Sequence, residues 1–213
     1  MIKQIYQTLY KEYGPQGWWP INNKYNIGDY SIPKNKEQEF EIILGTILTQ
    51  STSWKNVEKT LNILRKNKLL SREKLEAINE LELAKLIKHS GYNNQKARKI
   101  KEYLKFKGSI NRTGLLSIWG FGPETTDSVL LYAYKQPTFV VDTYTKRIFT
   151  RLGLIHEKDS YDKTQELFHD NLEKDYKIFN EYHALIVEHA KQHCKKTPIC
   201  ENCPLKKQCK FTC

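Results

Sequence analysis

Apolar residues recur along most of this chain at helical spacing. Phe40, Ile43, Leu44, Ile47 and Leu48 fall at i, i+3, i+4, i+7 and i+8, which predicts a helix with one buried face. Trp54, Val57, Leu61 and Leu64 repeat the pattern, and Asn79 with Glu82 makes a capping-box pair ahead of Leu83, Leu86 and Ile87. Ala97, Ile100 and Leu104 form another apolar stripe, surrounded by Lys96, Arg98, Lys99, Lys101, Lys105 and Lys107. Leu115, Leu116 and Trp119 predict a short helix. Pro123 suits the first position of the next, which runs to Tyr134. Asp142 stands before Tyr144, Ile148 and Leu152 as an N-cap, Ser160 opens a further helix, and 178–191 reads as the last long one. Residues 1–14 also alternate at helical spacing. Strand signals are nearly absent, since 138–141 is too short to build a sheet. The expected class is all-α, ending in a cysteine-bearing tail.

Composition narrows the setting. The 213 residues suffice for one large domain or two small interlocked ones. The formal net charge of +11 points to nucleic acid as partner, with acidic lipid and plain solvated lysine as the competing explanations. Mean hydropathy is -0.67, and no apolar run approaches the roughly 18 residues of a membrane span. The first residues lack the apolar centre and small-residue cleavage site of a signal peptide. The expectation is a cytoplasmic protein, associated with the nucleoid of a prokaryotic cell.

The five cysteines are confined to the tail. Cys194, Cys200, Cys203 and Cys209 follow a C-x5-C-x2-C-x5-C spacing, and Cys213 stands outside that set. A disulfide framework is unusual in a cytosolic chain, so a metal is the expected occupant. Zinc prefers two closely spaced pairs, whereas one short gap between two wide ones suits a larger [4Fe–4S] cluster. Zinc, and four unliganded cysteines, remain the alternatives.

Gly120-Phe121-Gly122 separates two helical patterns and reads as a hairpin. Glycine permits positive φ and close backbone approach, and the unpaired amides opening the second helix suit a phosphate. Such a contact reads no base sequence. A plain helix–helix turn has the same signature.

Taken with Pro137, Val140-Val141-Asp142-Thr143 and the cysteine tail, the hairpin resembles the helix-hairpin-helix DNA glycosylases of the endonuclease III superfamily. LGTILTQSTSW at 44–54 and SGYNNQKARKI at 90–100 extend the likeness over nearly the whole chain. The first cysteine gap departs from the pattern, holding five residues where the family commonly has six. The resemblance implies two helical domains, 25–134 and 1–24 plus 135–213, with the DNA cleft and pocket between them and a [4Fe–4S] loop at 194–209. It also implies double-stranded DNA with a damaged base as partner and a monomeric enzyme. In its lyase members a lysine two residues after the hairpin attacks the sugar. Here that position is Glu124, which cannot form an imine. A monofunctional glycosylase is therefore expected, with water as nucleophile and Asp142 at the family's catalytic aspartate. Glu124 is either a pocket residue or an ordinary first-turn acid.

Gly17-Trp18-Trp19-Pro20 and the segment ending at Trp54 resemble the 3-methyladenine branch of the superfamily. By that pattern Trp18 and Trp54 sandwich the extruded base, while Trp19 and Pro20 shape the pocket. Gln50 fills the gap in the duplex, Tyr92 wedges between bases, and Lys96 lies near phosphate. The core is the ordinary alternative for the tryptophans and Tyr92, and a helix-terminal polar residue for Gln50. The expected reaction is release of alkylated purines. The rivals are a glycosylase for mismatched thymine or oxidised bases, and a DNA-binding protein without catalysis.

Overall fold

A computed structural model describes residues 1–212; Cys213 lies outside the described residues. The chain is helical, and among the described residues the only β-type pairing is an isolated bridge between Ile21 and Lys24. No helix among them is long and apolar enough to cross a membrane. Its contacts divide it into two units, one of residues 21–24 and 31–135, the other of 1–20, 25–30 and 136 onward.

The central unit carries α2 (Lys36–Leu48), α3 (Trp54–Lys66), α4 (Arg72–Ala77), α5 (Glu80–Leu86), α6 (Asn93–Lys105), α7 (Arg112–Leu116) and α8 (Pro123–Ser128). Side-chain caps start several of them. Asn35, Ser71, Asn79 and Asn111 each accept a backbone N–H three residues on, so the capping expected at Asn79 is present. The run expected to continue from Pro123 to Tyr134 loosens after Ser128 into a π-helical turn, Val129–Ala133.

Helix α2 differs from its sequence pattern. Ile42, Glu41, Gly45 and Thr46 are buried along with the expected stripe, because α3, α6, α8 and the π turn all pack on it. It is the central rod of this unit and not a surface helix. Its buried carboxylate, Glu41, accepts from Arg65 Nη2 and from the Asn22 N–H, each at 2.8 Å. That pair ties residues 21–24 and α3 to the rod.

The terminal unit contains α1 (Ile2–Tyr13), α9 (Thr143–Arg151), α10 (Tyr161–Asn171) and α11 (Tyr176–Gln192). Helices α1 and α9 pack on α11, and Phe139, Phe149, Phe168, Phe179 and Tyr182 make an aromatic core. Residues 25–30, expected in the central domain, join this unit because Asn26 N–H bonds to Gly17 O and Tyr30 O–H to Glu181. The 138–141 stretch is extended without a strand partner. Its backbone is satisfied by side chains instead: Phe139 N–H donates to His169 Nε2, Gln165 Nε2 donates to Phe139 O, and Val141 N–H donates to Tyr161 Oη.

Replacing Arg65 by Met leaves the Glu41 carboxylate buried with only an amide partner. The expected loss is about 2–3 kcal/mol, at the low side for a buried pair because Arg65 is partly solvated. Urea unfolding should show a lower midpoint with unchanged slope. An unchanged midpoint would mean that the pair does not hold the rod.

Candidate nucleic-acid interface, catalytic acid and cysteine loop

The hairpin is built from the end of α7 to the start of α8. Phe121 N–H closes the turn on Ile118 O, Gly122 is the N-cap, and Pro123 takes the first helical position. Only Gly120 has positive φ, +82°. A Cβ there would lie 2.6 Å from Lys99 Cε, so glycine admits both the conformation and the lysine stem. Gly122 has φ −93° and open space on its Cβ side. Phe121 can offer a ligand only its backbone, which is the kind of contact expected of the hairpin. Its ring is buried and stacks on Tyr103, with centroids 6.1 Å apart. Arg112 Nε, 3.0 Å from the fully buried Asp127 carboxylate, clasps α7 to α8. Trp119 stays exposed under the Arg98 guanidinium, which lies 3.9 Å from its ring.

Gln50, just beyond α2, joins this hairpin. Its Nε2 donates to Thr125 Oγ1 at 2.7 Å, and its Oε1 accepts from Lys99 Nζ. It is therefore clamped at both ends of its amide. Burial lowers the Lys99 pKa. Tyr92 is 67% exposed and in left-handed backbone conformation, at the N-cap of α6. It is not core. Lys96 corrects the sequence reading. It is 1% exposed, and Nζ donates to Leu48 O at 2.8 Å and Ser90 O at 2.5 Å. It ties the end of α2 to the turn before α6 and has no reach to a phosphate. Desolvation and the neighbouring Lys99 lower its pKa from 10.5 to about 8.

In the terminal unit Asp142 caps α9. Its Oδ1 accepts from the N–H and O–H of Thr145 at 2.7 and 2.9 Å, and its Oδ2 lies 3.5 Å from His183 Nε2. Burial alone would raise its pKa, but His183 and Thr145 more than offset that and hold it below the ordinary carboxylate value. The group is thus a fixed anion at neutral pH. Glu124 is exposed in the first turn of α8, in the central unit.

Trp18 is half-buried. Its ring meets Trp19 edge-on at 5.4 Å and Tyr25 at 5.7 Å; Trp19 and Pro20 are buried. Gly17 allows this loop to close, since a Cβ there would fall 2.6 Å from Ile27 N. Both sides of the loop are anchored on Glu181 of α11, whose carboxylate accepts from Gln16 N–H at 2.7 Å and Tyr30 O–H at 2.6 Å. Burial raises the Glu181 pKa while these two bonds pull it back. Glu181 and His183 are two residues apart, about 3 Å along the helix axis. One turn of α11 therefore holds both the aromatic loop and Asp142. Trp54 opens α3 in the central unit, half-buried, its indole N–H donating to Glu58 at 3.0 Å.

Cys194, Cys200, Cys203 and Cys209 line one cavity of about 430 Å³, walled by Ile148, Leu152 and Leu205. Arg151 Nη1 lies 3.1 Å from Cys194 Sγ, and His189 Nε2 lies 3.8 Å from Cys203 Sγ. Arg147 and Arg151 also bind the carbonyls of Cys194, Lys195 and Lys196, so α9 grips the loop. Cys194, Cys203 and Cys209 are free thiols. Burial raises the Cys203 pKa. Among the described residues, no three metal-ligating side chains are grouped tightly enough for one ion. A four-iron cluster carries its cysteines on outer corners, so a shared cavity with donors facing sulfur fits it.

Sequence reasoning missed His183, Glu181, Lys99 and Thr125 as partners of the candidate site. Only Thr145 had a local signal, three residues after an N-cap aspartate.

Residues 44–174 match the family described as HhH-GPD superfamily base excision DNA repair protein. A Methanocaldococcus jannaschii protein provisionally named a DNA repair glycosylase is 44% identical, over 98% of this chain and 96% of its own. The fold is similar to that of H. pylori 3-methyladenine DNA glycosylase (MagIII) bound to 1,N6-ethenoadenine. The TM-score is 0.74 at 25% identity, covering 90% of this chain and 97% of that one. An endonuclease III–DNA complex shares the fold with a TM-score of 0.80 at 22% identity, covering 98% and 95%.

Lys96→Met tests the buried lysine. The native state loses its proton near pH 8 and the unfolded chain near 10.5. Between those values unfolding takes up a proton, so the lysine's contribution to stability grows as pH rises. The stability difference, wild type minus Lys96→Met, should climb across that window, while the salt dependence of DNA binding stays unchanged. A flat difference, or a slope of log K against log salt shallower by about 0.9, would return Lys96 to the phosphates.

Proposed function

The chain belongs to the HhH-GPD superfamily of base excision DNA repair proteins, and on that premise we propose that it is a monofunctional DNA glycosylase releasing alkylated purines such as 3-methyladenine. The carrying observation is that one turn of α11 anchors both the Trp18–Trp19 loop and the ionised Asp142. Cleavage of the N-glycosidic bond builds oxocarbenium-like charge on the sugar, by analogy with glycoside hydrolysis. A carboxylate held by Thr145 and His183 stabilises that charge and orients water without first reorganising. An N3-alkylated adenine is a cation and a good leaving group, so one acid suffices. Aromatic faces attract such a base by roughly 0.5–2 kcal/mol per contact. The similarity in fold to H. pylori 3-methyladenine DNA glycosylase (MagIII) supports this substrate class.

Glu124 stands where a lyase lysine is expected, and a carboxylate forms no Schiff base. Water is then the nucleophile, and the abasic product keeps an unbroken strand. The hairpin amides hold phosphate, Gln50 enters the gap left by the extruded base, and exposed Tyr92 wedges beside it. The four cysteines hold a [4Fe–4S] cluster that shapes the loop, with Lys195, Lys196, Lys206 and Lys207 facing the DNA backbone. When bound, the cluster would supply rigidity to the loop, the four lysines would supply its positive surroundings, and no step of base release passes through it.

Base release from three duplexes tests the reading: one methylated, one with G·T, one with an oxidised pyrimidine. Free 3-methyladenine is expected, with scission only after alkali. Asp142→Asn should keep duplex binding and slow release by about a thousandfold. Release of thymine or an oxidised pyrimidine instead would reassign the substrate. Scission without alkali would reassign Glu124.

The cluster has its own measurement. Anaerobically purified protein should contain about four irons per chain and absorb in the violet-blue, and Cys203→Ser should lose both. A colourless protein with stoichiometric zinc would overturn that part.

A further inference from the structure

Gln50 has an amide whose two ends have nearly the same shape but opposite hydrogen-bonding character. Its orientation here is set by chemistry. The ammonium of Lys99 can only donate, so the end facing it is the oxygen. The Nε2 end then faces Thr125 Oγ1, which accepts at 2.7 Å. Thr125 is buried and sits in the first turn of α8, directly behind the hairpin. The Lys99 stem is confined in turn, because it packs on the face of Gly120 that a Cβ would fill.

The clamp has a polarity. Lys99 spends one of its three N–H groups on Gln50 and makes no other hydrogen bond among the described residues. Gln50 keeps a second N–H. Its oxygen, already beside an ammonium, is a poorer acceptor for anything else. The edge offered beside the hairpin is therefore rich in donors and poor in acceptors.

We propose that Lys99 and Thr125 are positioning residues that lock Gln50 as a donor-rich edge, so that the site prefers a pyrimidine, thymine foremost, over guanine opposite the removed base. The inference rests on the reading that Gln50 occupies the gap. Thymine presents O2 and O4 as acceptors on its pairing edge, and cytosine presents O2 and N3. Guanine presents O6 alone beside two donors, N1–H and the N2 amino group. Donors facing donors are rejected, and the buried side of the clamp cannot flip to accommodate them. Thymine is the base left behind when a damaged adenine is removed, whereas guanine is left when a mismatched thymine is removed. The clamp thus favours the purine-lesion reading from the opposite strand.

The test uses duplexes carrying a tetrahydrofuran abasic analogue opposite T, C, A or G, with affinity measured at one fixed salt concentration. This probe contains no damaged base, so it is independent of lesion identity. Wild type should bind the T duplex about tenfold tighter than the G duplex, the worth of one hydrogen bond made or lost. Lys99→Met keeps the stem and removes the donors, and should bring T and G to within about twofold of each other. Lys99→Arg should restore the preference. Should Lys99→Met fail to fold, Thr125→Val frees the other end of the amide and should shrink the same ratio. Equal wild-type affinities for T and G overturn the inference, as does a Lys99→Met variant that weakens all four duplexes alike. If methylated DNA releases no base while the T preference persists, the substrate reading fails and the clamp stands. If base release occurs without the preference, the reverse holds. Binding to none of the duplexes overturns both.

Discussion

The carboxylate of Glu181 accepts one hydrogen bond from the Gln16 amide and one from the Tyr30 hydroxyl, and the arrangement of the terminal unit follows from those two bonds. They fix both sides of the loop that presents Trp18. They also commit an ionisable group to the interior, where burial opposes its charge and the two donors offset that only in part. Two residues further along α11, His183 faces Asp142. At the end of α11, the Cys194 N–H bonds to His189 O as the cysteine loop begins. Loop, acid and cysteines are registered against one helix.

The same device recurs because a helical protein offers its irregular segments no neighbouring strand. Their backbone groups still need partners, so side chains reach out from helices to supply them. Lys96 satisfies the carbonyls of Leu48 and Ser90, and Lys101 satisfies those of Leu75, Glu76 and Ile78. His169 and Gln165 hold the extended 139–141 stretch that delivers Asp142, and Arg151 holds the loop carbonyls. Part of the large positive charge is thus spent inside the protein as hydrogen-bond donors. Counting basic residues overstates how many are free to meet DNA.

The helices and their caps were legible because both signals are local. The stripes of α3 and α6, the caps at Asn79, Asp142 and Ser160, and the helix-breaking hairpin all appear within a few residues of one another. The all-round burial of α2 was not legible, because it depends on how many other helices surround it. Glu181, His183 and Lys99 were invisible for a related reason: their partners are distant in sequence, and no spacing rule connects them. Lys96 was different. It lies one turn before Ile100 on the same buried face, so the helical period already placed it inside.

The anchoring on α11 has a consequence during synthesis. Gln16 leaves the ribosome early, and the residue that seats it follows 165 positions later. At about 5–20 residues per second that interval is on the order of 10–30 s. Until α11 emerges, the tryptophan loop has no seat and Asp142 lacks one of its two partners. An unfinished chain therefore has its hairpin region and central helices before the tryptophan loop and the Asp142 carboxylate are held in place, which requires a chain completed through its last long helix.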